Sequence, residues 1–144
     1  MKFVFAVAAT AIWAASNAAA APAKPLPRYG VFVYSNLCTE KESGDAAGSR
    51  LTLLRYGDGD HVLFEWSEGP RVEAAGYKVK FDASTGELTF EVDIPGAPPE
   101  PQYSQSYTGK VSQDAIALRS NSGPERTYRL PRLYDFSRKT GICR

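Results

Sequence analysis

The chain has 144 residues, with 17 basic and 16 acidic side chains and a formal net charge of +1. That balance excludes a global field strong enough to recruit nucleic acid or an anionic membrane by itself. A single histidine and two cysteines exclude a structural zinc site, which needs four nitrogen or sulfur ligands, and the length suits one domain.

Lys2 precedes an apolar run from Phe3 to Ala15, followed by Ser16, Asn17 and a row of alanines. This is the pattern of a secretory signal peptide, and the small residues Ala18 and Ala20 predict cleavage after Ala20. The apolar run is shorter than the roughly 20 residues a spanning helix requires, and the first cysteine is Cys38, too far from the cleavage site for a lipid anchor. The expected product is a periplasmic or secreted protein that does not span the membrane. Without Lys2 its opposite charges cancel. Residues 21–28, with Pro22, Pro25 and Pro27, are expected to form an extended proline-rich tether, and residues 29–144 the single domain.

From Tyr29 onward, short runs rich in Val, Phe, Tyr, Leu and Thr alternate with Gly, Asp, Ser and Pro clusters, as antiparallel sheet proteins do. The first strand is expected over Tyr29 to Leu37. Next comes a hairpin, Leu51 to Tyr56 and Val62 to Trp66, around Gly57-Asp58-Gly59-Asp60; positive φ in its turn suits Gly and Asp. Val62, Phe64 and Trp66 share one face. A second hairpin runs from Tyr77 to Ile94 about Asp82-Ala83-Ser84-Thr85-Gly86. There Tyr77, Val79 and Phe81 alternate with Lys78 and Lys80, and Leu88, Phe90, Val92 and Ile94 alternate with Glu87, Thr89, Glu91 and Asp93. Setting Phe81 opposite Leu88 also sets Val79 opposite Phe90 and Lys78 opposite Glu91. Tyr103 to Val111, Ala115 to Ser120 and Arg126 to Leu130 complete about eight strands.

These elements predict an all-β domain, a single antiparallel up-and-down barrel of about eight strands or a small β-sandwich; closure favours the barrel because it removes exposed edges. In strand number and order such an architecture resembles the lipocalin-type and avidin-type barrels. Gly30-Val31-Phe32 at the first strand and Arg132 near the end form a short further echo, but the lipocalin pattern has tryptophan where Phe32 stands, so no residue role is carried over. Two longer segments, Thr39 to Ser49 and Pro95 to Pro101, are the loops where function is expected to lie. Cys38 and Cys143 are expected to form one disulfide, since export places them in an oxidising compartment and no third cysteine competes.

Catalytic chemistry finds little support. His61 stands alone beside an acidic turn, no serine lies in a nucleophile elbow, and Asp58, Asp60 and His61 lack the further donors that a calcium or zinc site requires. Glu87, Glu91 and Asp93 face Lys78 and Lys80 as cross-strand pairs. Gly44 to Arg50 has neither the spacing nor the lysine of a phosphate loop. No cofactor, metal or nucleic-acid partner is expected.

The expected function is binding without catalysis. Phe64, Trp66, Tyr77 and Phe90 are the candidate residues for a small apolar or aromatic ligand. Charge is uneven along the chain, with ten acidic and three basic residues from Asp58 to Glu100 against two and seven from Arg119 to Arg144. Arg126, Arg129 and Arg132, interleaved with aromatics, are therefore the candidates for an envelope partner. In the alternative reading the chain is a protein-interaction module, such as an inhibitor or envelope accessory factor.

Overall fold

The computed structural model describes residues 25–69, 71–94, 102–121, 126–135 and 141–143; the expected signal peptide and the loop Pro95 to Pro101 lie outside them. The described residues form ten strands: β1 (Gly30–Ser35), β2 (Cys38–Thr39), β3 (Ala46–Tyr56), β4 (Gly59–Gly69), β5 (Arg71–Asp82), β6 (Glu87–Ile94), β7 (Tyr103–Val111), β8 (Ala115–Ser120), β9 (Thr127–Leu133) and β10 (Gly141–Ile142). Consecutive strands between β3 and β9 pair antiparallel, up to β8 with β9, and β1 pairs with both β3 and β9. The result is a closed eight-stranded up-and-down barrel with β2 and β10 added at one end. Closure accounts for the many short strands, since every one of the eight finds neighbours on both sides.

The strand alternation assigns each residue to the inside or the outside. Phe32 and Tyr34 of β1, Leu51 and Leu53 of β3, Val62 and Phe64 of β4, Leu88, Phe90 and Val92 of β6, Tyr107 and Val111 of β7, Ile116 and Leu118 of β8 and Leu130 of β9 are all buried in one core cluster. Phe64 and Phe90 are each only 1% exposed. Tyr107 packs against both of them, stacked on Phe90 at 5.2 Å between centroids and tilted against Phe64 at 4.9 Å. Side chains thus fill the middle of the barrel.

The second hairpin departs from the expected register. Phe81 faces Leu88 as expected, but Glu91 faces Tyr77 rather than Lys78, and a bulge lies between Tyr77 and Lys80. Lys78, with φ at 50°, and Val79 together oppose Phe90 alone. The reason lies in parity. Above the bulge Ala74 and Gly76 pair with the inward residues Phe64 and Val62; unbroken alternation would carry Lys78 and Lys80 into the core. One extra residue instead turns Val79 and Phe81 inward and leaves both lysines outside. Gly76 suits this crossing point, because a Cβ there would lie 3.0 Å from Val62 Cβ and 3.2 Å from Phe90 Cδ2.

The segment Thr39 to Ser49, expected as a loop, contributes strand residues at both ends. β2 continues the register of β1 along β3, from Gly30 opposite Arg55 to Cys38 opposite Ala47. Asn36 bridges the break: its N–H donates to Ser49 O, and its side-chain oxygen accepts from Ser49 N–H. This packs the Asn36 backbone against Gly48, whose φ of 102° also requires glycine. Only Glu40 to Asp45 remains a turn, closed by Glu40 N–H to Asp45 O and Gly44 N–H to Glu40 O.

Cys38 and Cys143 form the expected disulfide, with Cα atoms 4.9 Å apart and a sequence separation of 105. It fixes β10 parallel to β2. A disulfide of this kind belongs to an oxidising environment.

Candidate functional site

The two ends of the barrel differ. At the lower end, where β1 begins, the short turns after β3, β5 and β7 meet the N-terminal residues 25–29. Leu26 is buried in the core cluster. Arg55, itself buried, ion-pairs with Asp60 at 2.9 Å, lies over the Phe81 ring and donates from Nη1 to Pro27 O. Part of the expected tether, Pro25 to Pro27, is therefore packed against the barrel, leaving a recess of about 20 Å³ beside Leu26, Phe81 and Val111. That volume suits a single water.

Arg132 closes the same end from inside. Its register partner is the inward Tyr34, and its guanidinium stacks over Phe32 at 4.7 Å, Tyr134 at 5.1 Å and Tyr34 at 5.7 Å. Burial pushes the Tyr34 hydroxyl up to about 12, partly offset by Arg132, while that hydroxyl donates to Ser112 O. Arg129 points outward and is exposed, and Arg126 lies exposed at the upper end of β9. The three arginines expected as one patch therefore occupy three places. A spacing of three gathers residues on a helix but alternates faces on a strand.

The upper end carries the half-open aromatics. On the inner face Trp66 stacks on Phe64 at 5.6 Å, and Trp66, Tyr128 and Ile94 are partly buried against the core. Ile94 pairs with Tyr103, which is 53% exposed. Polar inward groups accompany them. Gln105 donates from its amide nitrogen to the buried Ser120 hydroxyl at 2.5 Å, and Ser49 pairs with Trp66. Burial raises the Tyr107 hydroxyl well above its ordinary range, so it stays a neutral donor. The upper mouth thus offers aromatic faces and neutral hydrogen-bonding groups above a floor of Phe64, Phe90 and Tyr107. The turn Glu40 to Asp45, what remains of the first long segment singled out in the sequence, lies at this end, where β6 ends and β7 begins.

Of the four candidate ligand residues, Phe64 and Phe90 form that floor and Trp66 stands at its upper edge. Tyr77 lies across the wall. It follows the inward Gly76 and so faces outside, where its hydroxyl donates to Asp93 Oδ1 at 2.9 Å and lies 2.9 Å from Ser104 Oγ. Tyr103, Gln105, Ser120 and Tyr128 join the mouth without having been singled out. Their signal was alternation on β7, β8 and β9, weak because Ser, Gln and Thr occupy both faces there.

The remaining polar groups are dispersed on the outside. His61 has a side chain 54% exposed, with Asp58 at 3.9 Å and the Tyr56 ring at 6.2 Å, far along β4 from the upper mouth. Among the described residues no group of three His, Cys, Asp or Glu side chains is arranged to hold a metal, and no helix is long and apolar enough to cross a membrane. Lys78 pairs with Glu91 at 3.0 Å across the bulge.

Two exposed carboxylates give the fold an acid sensitivity. Bonds from the Ser84 hydroxyl and from the Ser84 and Thr85 N–H groups hold Asp82 below the usual range, and the Ser104 and Tyr77 hydroxyls do so for Asp93. Because the folded pKa values are depressed, their stabilisation is present above the unfolded value of about 3.9 and is lost as pH falls through the folded values. Thermal unfolding followed from neutral pH to about pH 2 should show a decline beginning near that unfolded value, and Asp82→Asn with Asp93→Asn should flatten it.

No protein-family model, curated protein or solved structure matches this chain.

Proposed function

We propose that this protein is an exported, non-enzymatic binding protein, periplasmic or secreted, that holds a small apolar or aromatic ligand at the upper mouth of its barrel. One observation carries the reading: inward side chains pass from full burial at Phe64, Phe90 and Tyr107 to partial burial at Trp66 and Tyr128. A barrel packed throughout would bury its aromatics at both ends, whereas a shelf of half-buried rings beside Gln105 and Ser120 is the surface a flat ligand covers. The filled middle makes the site shallow.

Trp66 supplies the test. The chain has two tryptophans, and Trp13 lies in the expected signal peptide, so the mature protein carries Trp66 as its sole tryptophan emitter. Titration with the neutral aromatic probe N-phenylnaphthylamine should quench it saturably, and Tyr128→Ala should weaken binding by roughly tenfold, the loss of one aromatic contact. A folded protein whose Trp66 emission does not respond, or a Tyr128→Ala variant that binds the probe unchanged, would count against the reading.

A further inference from the structure

The residues before β1 cross the lower end of the barrel as a strap. Of Pro25 to Tyr29 only Leu26 is buried, and its side chain joins the core cluster. The carbonyls around it are read by side chains of the barrel. Arg55 Nη1 donates to Pro27 O at 2.8 Å, and the Gln113 amide nitrogen donates to Pro25 O over a longer 3.5 Å. Both prolines lack an N–H and favour an extended chain. The strap therefore shows the barrel two carbonyls and one aliphatic side chain between them.

The surface under the strap is held by bonds that do not involve it. Arg55 is fixed from two further directions, by Asp60 through Nε at 2.9 Å and by the Phe81 ring, whose centroid lies 4.8 Å from the guanidinium carbon. The turn after β5 lines the recess beside Leu26. It is closed by Gly86 N–H to Asp82 O and tied to β7 by Val111 N–H to Gly86 O, both at 2.7 Å. Gln113 keeps its place because its own carbonyl accepts from the Tyr134 hydroxyl at 2.9 Å. The strap, in contrast, lies outside the strands and buries one side chain, so lifting it disturbs far less than parting two barrel strands. What it uncovers is an aliphatic socket with two donors already aimed.

We infer that the lower end is a peptide-recognition site, covered by Pro25 to Pro27 of its own chain and filled by an extended Pro-Leu-Pro segment of a partner protein when the strap lifts. The seated strap specifies the partner's chemistry. Phe81 and Val111 line the socket, so it takes a branched aliphatic side chain, and the two donors require a carbonyl on each side of it. Flanking prolines supply those carbonyls without adding N–H groups that would need partners. They also arrive already extended, which lowers the ordering cost of binding. Because the strap is tethered beside the socket, it competes at a high effective concentration and sets the affinity a partner segment must exceed. The site lies at the opposite end from the ligand mouth, and neither reading depends on the other.

Calorimetric titration with the blocked hexapeptide acetyl-Ala-Lys-Pro-Leu-Pro-Arg-amide tests it on the full mature chain and on its Leu26→Ala variant, which empties the socket but keeps both strap carbonyls. The variant should bind the peptide saturably, with NMR shifts at the Gly86 and Val111 amides. The parent chain should bind it about tenfold or more weakly, because its own strap competes. A peptide carrying alanine in the leucine position should bind the variant about tenfold or more weakly than the leucine peptide does. A folded Leu26→Ala chain that does not bind the leucine peptide would overturn the inference, as would equal binding by parent and variant or equal binding of the two peptides. A Leu26→Ala chain that fails to fold would overturn it too, since the lower end would then need its strap to exist. A parent chain that dimerises with concentration while Leu26→Ala stays monomeric would overturn it in favour of a second copy.

Discussion

Replacing Phe90 by alanine should lower the unfolding free energy by about 3–5 kcal/mol, the usual cost of deleting a buried aromatic ring. The upper part of that range is expected from its position. Phe90 is 1% exposed, stacks on Tyr107, touches Phe64 at 5.9 Å and faces the bulge of β5. Little nearby can move into the space, since Gly76 has no side chain to extend into it. Chemical denaturation monitored by circular dichroism checks the value, and an unchanged m-value would place the effect in the native core. Trp66 fluorescence in the same titration would report whether the aromatic floor loosens before the barrel opens.

Loss of the disulfide is the second large effect. The bridge closes a loop across a sequence separation of 105, for which loop-closure entropy in the unfolded chain corresponds to about 4–5 kcal/mol. Reduction, or a Cys38→Ser and Cys143→Ser double variant, should therefore lower the midpoint of denaturation by an amount comparable to the Phe90 substitution. In the native protein neither thiol should label until reductant is added. The two losses should nearly add, because the aromatic floor and the bridge share no contacts among those described.

Much of the fold was legible because alternation is a strong signal where polar and apolar residues are sharply separated. Glu87 to Ile94 shows this: Leu88, Phe90 and Val92 are buried, and Glu87, Thr89 and Asp93 are exposed. The disulfide followed from elimination. The bulge at Lys78 and Val79 was hidden, since regular alternation of Tyr77, Val79 and Phe81 looks like one face, and only the inward Ala74 and Gly76 upstream reveal the change of phase. The strand content of Ala46 to Arg50 was hidden by its small residues, whose pairing depends on Asn36 across the sheet. Arg132 was assigned to the surface because its charge suggests solvent, yet three aromatic rings provide an interior for it. The upper mouth was partly legible: Trp66 stood out by type, while Gln105, Ser120 and Tyr128 acquire meaning only once β7, β8 and β9 are set side by side.

The bulge also separates the length of β5 from the length its neighbours require. Removing one residue from a barrel strand ordinarily reverses the facing of everything beyond it. Without Lys78, however, Gly76, Val79 and Phe81 would point inward and Tyr77 and Lys80 outward in unbroken alternation, with Val79 directly opposite Phe90. The exposed ion pair with Glu91 would go, and the core would keep every side chain it now has. At this one position the barrel can lose a residue of chain without changing phase.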